Sequence, residues 1–288
     1  MDFLITLVNG LSLGGVYAMI ALGYTMVYGI AKMLNFAHGD IIMVGGYTVL
    51  VFLSVNPIVA IIASVIFCIL LGILVEKVAY RPLRGASPLA VLITAIGVSY
   101  LLQSLAQIIF GSAAKYVNIV DLGNLDLGKL SINYGTLITL GCSVVIMVAL
   151  SLFVKYTRIG RAMVAVSEDK DAARLMGVNI NFIISITFAI GSALAALAGV
   201  FSLLKVPTII PTYGALPGIK AFTAAVIGGI GSIPGAMLGG ILLGVVECIC
   251  NSIPAVAPYT IAIEFAILVV ILIVKPTGIL GKKRREKV

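Results

Sequence analysis

The chain has 288 residues, of which 61% are hydrophobic and 10% charged, whereas a soluble domain carries roughly 25% charged residues. That excludes a soluble globular protein, and the useful ruler becomes the ~20 apolar residues that cross ~30 Å of hydrocarbon. The net charge of +8 does not indicate nucleic acid, because residues 275–288 alone hold five of the eight net positive charges, and a basic tail beside a membrane suits anionic lipid headgroups. The expected fold is all-α, a single polytopic membrane domain over residues 1–288. It should have about eight spans, within a range of seven to nine, with short broken or re-entrant helices among them.

The first uncharged stretch runs from Asp2 to Lys32. It lacks a basic leader and a small-residue cleavage pattern, so it reads as a retained span. Within it, Gly10-Leu11-Ser12-Leu13-Gly14 matches the Gly-x-Ser-x-Gly elbow of hydrolases, which needs a strand before and a helix after. Inside an apolar run, Gly10 and Gly14 instead make a small-xxx-small pattern for close helix packing. A polar stretch follows at Asn35-Phe36-Ala37-His38-Gly39-Asp40. Either it is a solvated turn between spans, or it is a re-entrant break that places Asn35, His38 and Asp40 on a pathway, with His38 as a titrating group.

The stretch from Asp40 to Glu76 is divided by Asn56-Pro57, read as a tight turn between two short spans. Further uncharged stretches run from Arg84 to Lys115, Lys129 to Lys155 and Arg174 to Lys205. Beyond Lys220, Gly228-Gly229-Ile230-Gly231-Ser232-Ile233-Pro234-Gly235 is too rich in glycine for continuous helix and predicts a hairpin of two short helices. Small-xxx-small spacing recurs at Gly231/Gly235, Gly235/Gly239 and Gly240/Gly244. Tight helix contact explains that spacing, and so does a hairpin whose irregular backbone lines a solute path. Glu247 and Glu264 fall inside apolar runs, where an acid is either a functional group or a helix-end anchor.

Orientation follows from the basic residues. Fifteen of the 19 Lys and Arg fall at Lys32 and in the 76–84, 155–174 and 275–288 segments, against Lys115, Lys129, Lys205 and Lys220 on the other side. The N-terminus is therefore expected outside and the C-terminus in the cytoplasm. The cytoplasmic loop 155–181 reads as one capped helix: Ser167 as N-cap, Glu168 and Asp169 in the first turn, Arg174 in the last, and Gly177 at C′. It contains Asp171-Ala172-Ala173-Arg174-Leu175-Met176-Gly177.

Several chemistries are excluded by composition. A single histidine rules out a His-x-x-x-His zinc pair, and Cys68, Cys142, Cys248 and Cys250, all in apolar runs, suggest neither disulfide nor metal. No Lys-Ser or Lys-Thr dipeptide occurs, so the chain carries no P-loop of its own. The expectation is a non-enzyme with no bound cofactor.

The acid-Ala-Ala-x-x-x-Gly pattern of the cytoplasmic loop resembles the coupling motif of bacterial ABC import permeases. Asn35 to Asp40, Tyr80-Arg81-Pro82-Leu83-Arg84, Ala165 to Asp169, Gly228 to Ala236 and Pro276-Thr277-Gly278-Ile279-Leu280-Gly281 resemble the LivH-type permeases for branched-chain amino acids. The likeness spans the whole chain, although Thr187-Phe188 stands where the fuller coupling consensus has Leu-Pro. The resemblance implies a bacterial inner-membrane complex. It would comprise this permease, a second permease of LivM type, two ATP-binding subunits of LivG/LivF type that use ATP and Mg, and a periplasmic solute-binding protein.

The same resemblance implies that Ser167, Glu168, Asp169, Asp171, Ala172, Ala173 and Gly177 couple the chain to an ATPase, with Ala172 and Ala173 permitting close approach. Asn35, His38, Asp40, Gln103, Gly228, Gly229 and Gly231 are the candidate path residues. Branched-chain amino acids are the implied cargo, with urea or short amides as the alternative. A proton-coupled transporter using His38, Asp40, Glu247 and Glu264 is the rival from another class.

Overall fold

A computed structural model of the protein describes residues 2–120, 123–127 and 130–281. Lys129 and the tail residues Lys282, Lys283, Arg284, Arg285 and Lys287, counted above for orientation, lie outside the described residues. Eleven α-helices follow in order among those described: α1 (Asp2–Ala31), α2 (His38–Phe52), α3 (Pro57–Val75), α4 (Pro88–Phe110), α5 (Tyr134–Tyr156), α6 (Arg158–Glu168), α7 (Lys170–Leu175), α8 (Ile180–Lys205), α9 (Ala215–Gly228), α10 (Ile233–Ser252) and α11 (Thr260–Val274). Four short strands, β1 (Lys115–Tyr116), β2 (Asn124–Leu127), β3 (Leu130–Asn133) and β4 (Thr208–Ile209), pair antiparallel as β1–β4 and β2–β3.

Seven of the described helical segments are long and apolar enough to cross a membrane. α2 and α9, at 15 and 14 residues, reach only about 22 Å at 1.5 Å per residue, short of the ~30 Å core. The expected number of spans is thus met by seven full helices and two half-length ones. The Asn56-Pro57 turn separates one half-helix from one full span rather than two short spans. Asn56 caps α3, its side chain accepting from Ile58 N at 2.8 Å, with Pro57 opening the first turn. Along α3, Ile58, Ile62, Ile66, Leu70 and Leu74 are exposed at helical spacing, a stripe suited to lipid.

The buried centre is α1 against α8, α9 and α10. α1 and α10 run antiparallel at backbone contact. A Cβ on Gly14 would stand 2.7 Å from Ile241 Cα, and one on Gly244 would stand 2.2 Å from Gly14 N. Gly10 and Gly14 therefore serve packing, as their spacing predicts, and Ser12 beside them is fully buried.

The chain repeats one motif in opposite directions. α1, a six-residue break, half-helix α2 and spans α3 and α4 are echoed by α8, a break at 206–214, half-helix α9 and spans α10 and α11. α2 follows the second half of α8, with His38 near Gly191 and Gly46 near Leu203, and α9 follows the second half of α1, with Phe222 on Tyr24 and Gly231 by Gly29. The two half-helices therefore start back to back at mid-depth and run to opposite faces. Their starts touch: a Cβ on Gly214 would lie 1.9 Å from Gly39 O, and one on Gly218 would lie 2.9 Å from Gly39 Cα. One face carries α6 and α7, and the other carries the β2–β3 hairpin.

Candidate functional site

The break after α1 begins at Lys32, the one described non-glycine residue with positive φ (62°). It closes α1 in the left-handed conformation while its Nζ donates to Gly29 O. The chain then climbs back to mid-depth before α2 begins. Of the two readings of 35–40, the structure supports the re-entrant break, since Asn35, His38 and Asp40 are all at least 98% buried. Tyr80 donates to Asn35 Oδ1 at 2.8 Å. His38 packs edge-on against Tyr24 and fills the space left by Gly23 and Gly191. Gln103 on α4 donates to Asp40 Oδ1 at 2.9 Å, which ties two of the sequence candidates together.

Gly228, Gly229 and Gly231 form the turn from α9 to α10, and Gly229 and Gly231 need positive φ (109° and 94°). This turn lies at the α6–α7 face rather than at membrane depth. The segment Pro276–Gly281 straps it: Ile279 N donates to Ile227 O at 2.8 Å and Leu280 N to Gly228 O at 2.9 Å. Gly228 packs on Gly235, and Gly229 on Thr277 and Gly281, so these two do not line an opening. Their neighbour Ile230 shares a recess with Tyr24, Tyr28, Met33, Asn35 and Phe222, closed to anything as large as water.

The loop between α5 and α8 forms two helices, not one. Ser167 lies in the last turn of α6 and its Oγ donates to Val164 O at 2.7 Å. Glu168 ends α6, so Ser167 is not the expected N-cap and Glu168 does not stand in a first turn. Asp169, in extended backbone, is the N-cap of α7: its Oδ1 accepts from Asp171 N and Ala172 N, each at 3.0 Å. Asp169 is therefore the cap itself and not the first-turn residue the sequence suggests. Gly177 does adopt positive φ (83°) and Arg174 stands in the last turn, both as predicted.

Asp171 and Ala172 are exposed, whereas Ala173 is 4% exposed and faces the chain's own core, so only one of the two alanines offers surface. Beside it Leu175 and Met176 are 89% and 84% exposed. Lys170 Nζ donates to Ala31 O at 3.1 Å, which joins α7 to the end of α1. Burial, and secondarily the like charge of Arg84, hold the Lys170 ammonium below the usual lysine range. Arg84 itself pairs with Glu76 and Asn181, and Ser185 Oγ donates to Glu76 Oε2 at 2.7 Å, locking the ends of α3 and α8 together.

Charge counting assigned Lys220 to an outer loop; it is instead buried on α9. Its Nζ lies 2.7 Å from Glu247 Oε1 on α10 and 3.3 Å from Glu264 Oε1 on α11, and Tyr17 on α1 donates to Glu247 Oε2 at 2.7 Å. Both acids flagged in the sequence thus share one lysine. The signal that could have placed Lys220 is its position five residues into an apolar run with two intramembrane acids elsewhere, since a buried cation needs partners.

The model of the family described as branched-chain amino acid transport system / permease component matches residues 6–272. A protein of Pseudomonas aeruginosa named as the high-affinity branched-chain amino acid transport system permease BraD is 44% identical, over 99% of this chain and 98% of its own length. The corresponding LivH protein of Escherichia coli K12 is 40% identical over 99% and 98%. In fold, the chain resembles a solved inward-facing transporter described as of metal-chelate ABC type, with a TM-score of 0.52 and 16% identity over 94% of this chain and 87% of that one. By its full-length match and its seven-span helical core, the chain is a multi-pass membrane protein that belongs to the branched-chain amino acid transport permease family.

Proposed function

We propose that the chain is one permease subunit of an ATP-driven importer for branched-chain amino acids. The observation that carries the reading is the α6–α7 loop. It is a well-capped helix pair that leaves Leu175 and Met176 almost wholly uncovered beside exposed Asp171 and Ala172, on a chain with no P-loop. Two exposed apolar side chains on a rigid loop suit the groove of an ATP-binding subunit. ATP and Mg act there, on LivG/LivF-type partners, while a second permease of LivM type completes the membrane core and a periplasmic binding protein delivers the solute.

In this reading the α6–α7 face is cytoplasmic, the N-terminus lies outside and the membrane is the bacterial inner membrane. Motion of an ATPase against α7 reaches α1 through the Lys170–Ala31 bond, and α1 carries the break that bears Asn35. Asn35, His38, Asp40 and Gln103 border the path, and separation of α2 from α9 at Gly39 and Gly214 opens it. Binding selectivity then falls to the soluble partner.

The test is replacement of Leu175 and Met176 by Asp in the reconstituted complex, measuring uptake and ATP hydrolysis together. Loss of solute-stimulated hydrolysis with the permease still folded is expected. Uptake that stays coupled to ATP would refute the docking role.

A further inference from the structure

Where α8 ends, on the hairpin face, the chain encloses an open cavity of about 390 Å³, within the ~300–1,000 Å³ of small-molecule sites. Its wall alternates chemistry. Val120, Leu204 and Pro207 supply apolar surface, Asn118 supplies an amide, and Lys205 supplies the one cation of the lining. The β1–β4 pair holds the rim, with Val117 N donating to Pro207 O at 2.9 Å.

Lys205 forms no ion pair among the described residues; the intramembrane acids Glu247 and Glu264 are engaged by Lys220 instead. An ammonium in a half-buried recess, with no carboxylate partner among the described residues, attracts a ligand carboxylate. Aliphatic walls beside it suit a branched side chain.

We infer that this cavity is a receiving site for a free aliphatic amino acid, with Lys205 binding its carboxylate and the Val120–Leu204–Pro207 wall covering its side chain. The inference rests on the importer reading and names where the solute first meets the permease. The cavity is open, so the site is weak and passes its ligand on. A lysine that served only to complete the end of helix α8 or to reach toward water would make no such distinction among ligands.

The experiment uses the whole complex in lipid nanodiscs with Asn118→Cys, following maleimide modification of the peptide that contains position 118. At ~5 mM leucine, modification should slow about threefold, as a millimolar site requires. 3-Methylbutylamine, which lacks the carboxylate, should have no effect, and Lys205→Met should abolish the protection by leucine while Lys205→Arg keeps it. No protection by leucine, equal protection by the amine, or protection that survives Lys205→Met would overturn the site. Protection by the solute-free binding protein and not by leucine would overturn it too, assigning the lysine to a protein carboxylate. ATP-driven uptake is measured in parallel with the wild-type complex reconstituted into proteoliposomes. Uptake without protection removes this site alone, whereas absent uptake removes the importer reading.

Discussion

Replacing Lys220 by Met keeps most of the side-chain volume but removes the only cation from a cluster of three charged groups, two of them buried. Lys220 lies 2.7 Å from Glu247 and 3.3 Å from Glu264, and Glu264 is 1% exposed. Breaking a buried ion pair by removing one partner costs about 3–5 kcal/mol, because an uncompensated charge remains. Here two carboxylates would remain, and the native link among four helices through Tyr17, Lys220, Glu247 and Glu264 would be lost. We expect Lys220→Met to lose at least about 3 kcal/mol of unfolding free energy in detergent, followed by thermal or denaturant titration of the purified permease. Glu264→Gln leaves a one-to-one pair and should fall within ~1 kcal/mol of wild type. Adding Glu247→Gln and Glu264→Gln to Lys220→Met should recover most of the loss. Equal stability of Lys220→Met and wild type would refute the claim that Lys220 holds both carboxylates in one joint.

Three further outcomes follow from the geometry. Asp169→Ala should cost about 1 kcal/mol locally and speed hydrogen exchange of the Asp171 and Ala172 amides, whereas Ser167→Ala should leave α7 protected. Gly244→Val should separate α1 from α10 and cost about 1–3 kcal/mol or more, read as lowered folded yield and melting temperature, since a Cβ there already meets Gly14 N at 2.2 Å. Tyr80→Phe leaves the buried Asn35 carbonyl without its 2.8 Å donor and should cost about 1–3 kcal/mol, with the change confined to the α1–α2 break in exchange measurements.

The sequence made the membrane class and the long spans legible because charge is so costly in hydrocarbon that its absence marks each crossing. Gly10 and Gly14 could be read as packing for a similar reason, as their spacing puts both on one helix face. The half-helices were only partly legible. A polar break at 35–40 is compatible with a solvated turn, and what decides between them is the contact of Gly39 with Gly214, 175 positions away. Lys220 was misplaced because a count of basic residues assumes each one seeks water, an assumption that fails when Glu247 and Glu264 are brought to it by α10 and α11. Within the cytoplasmic loop the composition was right and the register was wrong. Ser167 and Asp169 are both good caps, and the choice between them depends on α6 continuing from α5 through a cap at Thr157.

In the proposed importer, transport by this chain draws its energy from ATP-binding partners. The most direct measurement is leucine uptake into proteoliposomes holding the permeases and ATP-binding subunits, with the binding protein supplied on the side of the hairpin face. Uptake should require ATP on the α6–α7 side and persist when a protonophore collapses the proton gradient. Uptake by this chain alone, indifferent to ATP and abolished by the protonophore, would contradict the importer and make His38, Asp40, Glu247 and Glu264 the groups to pursue.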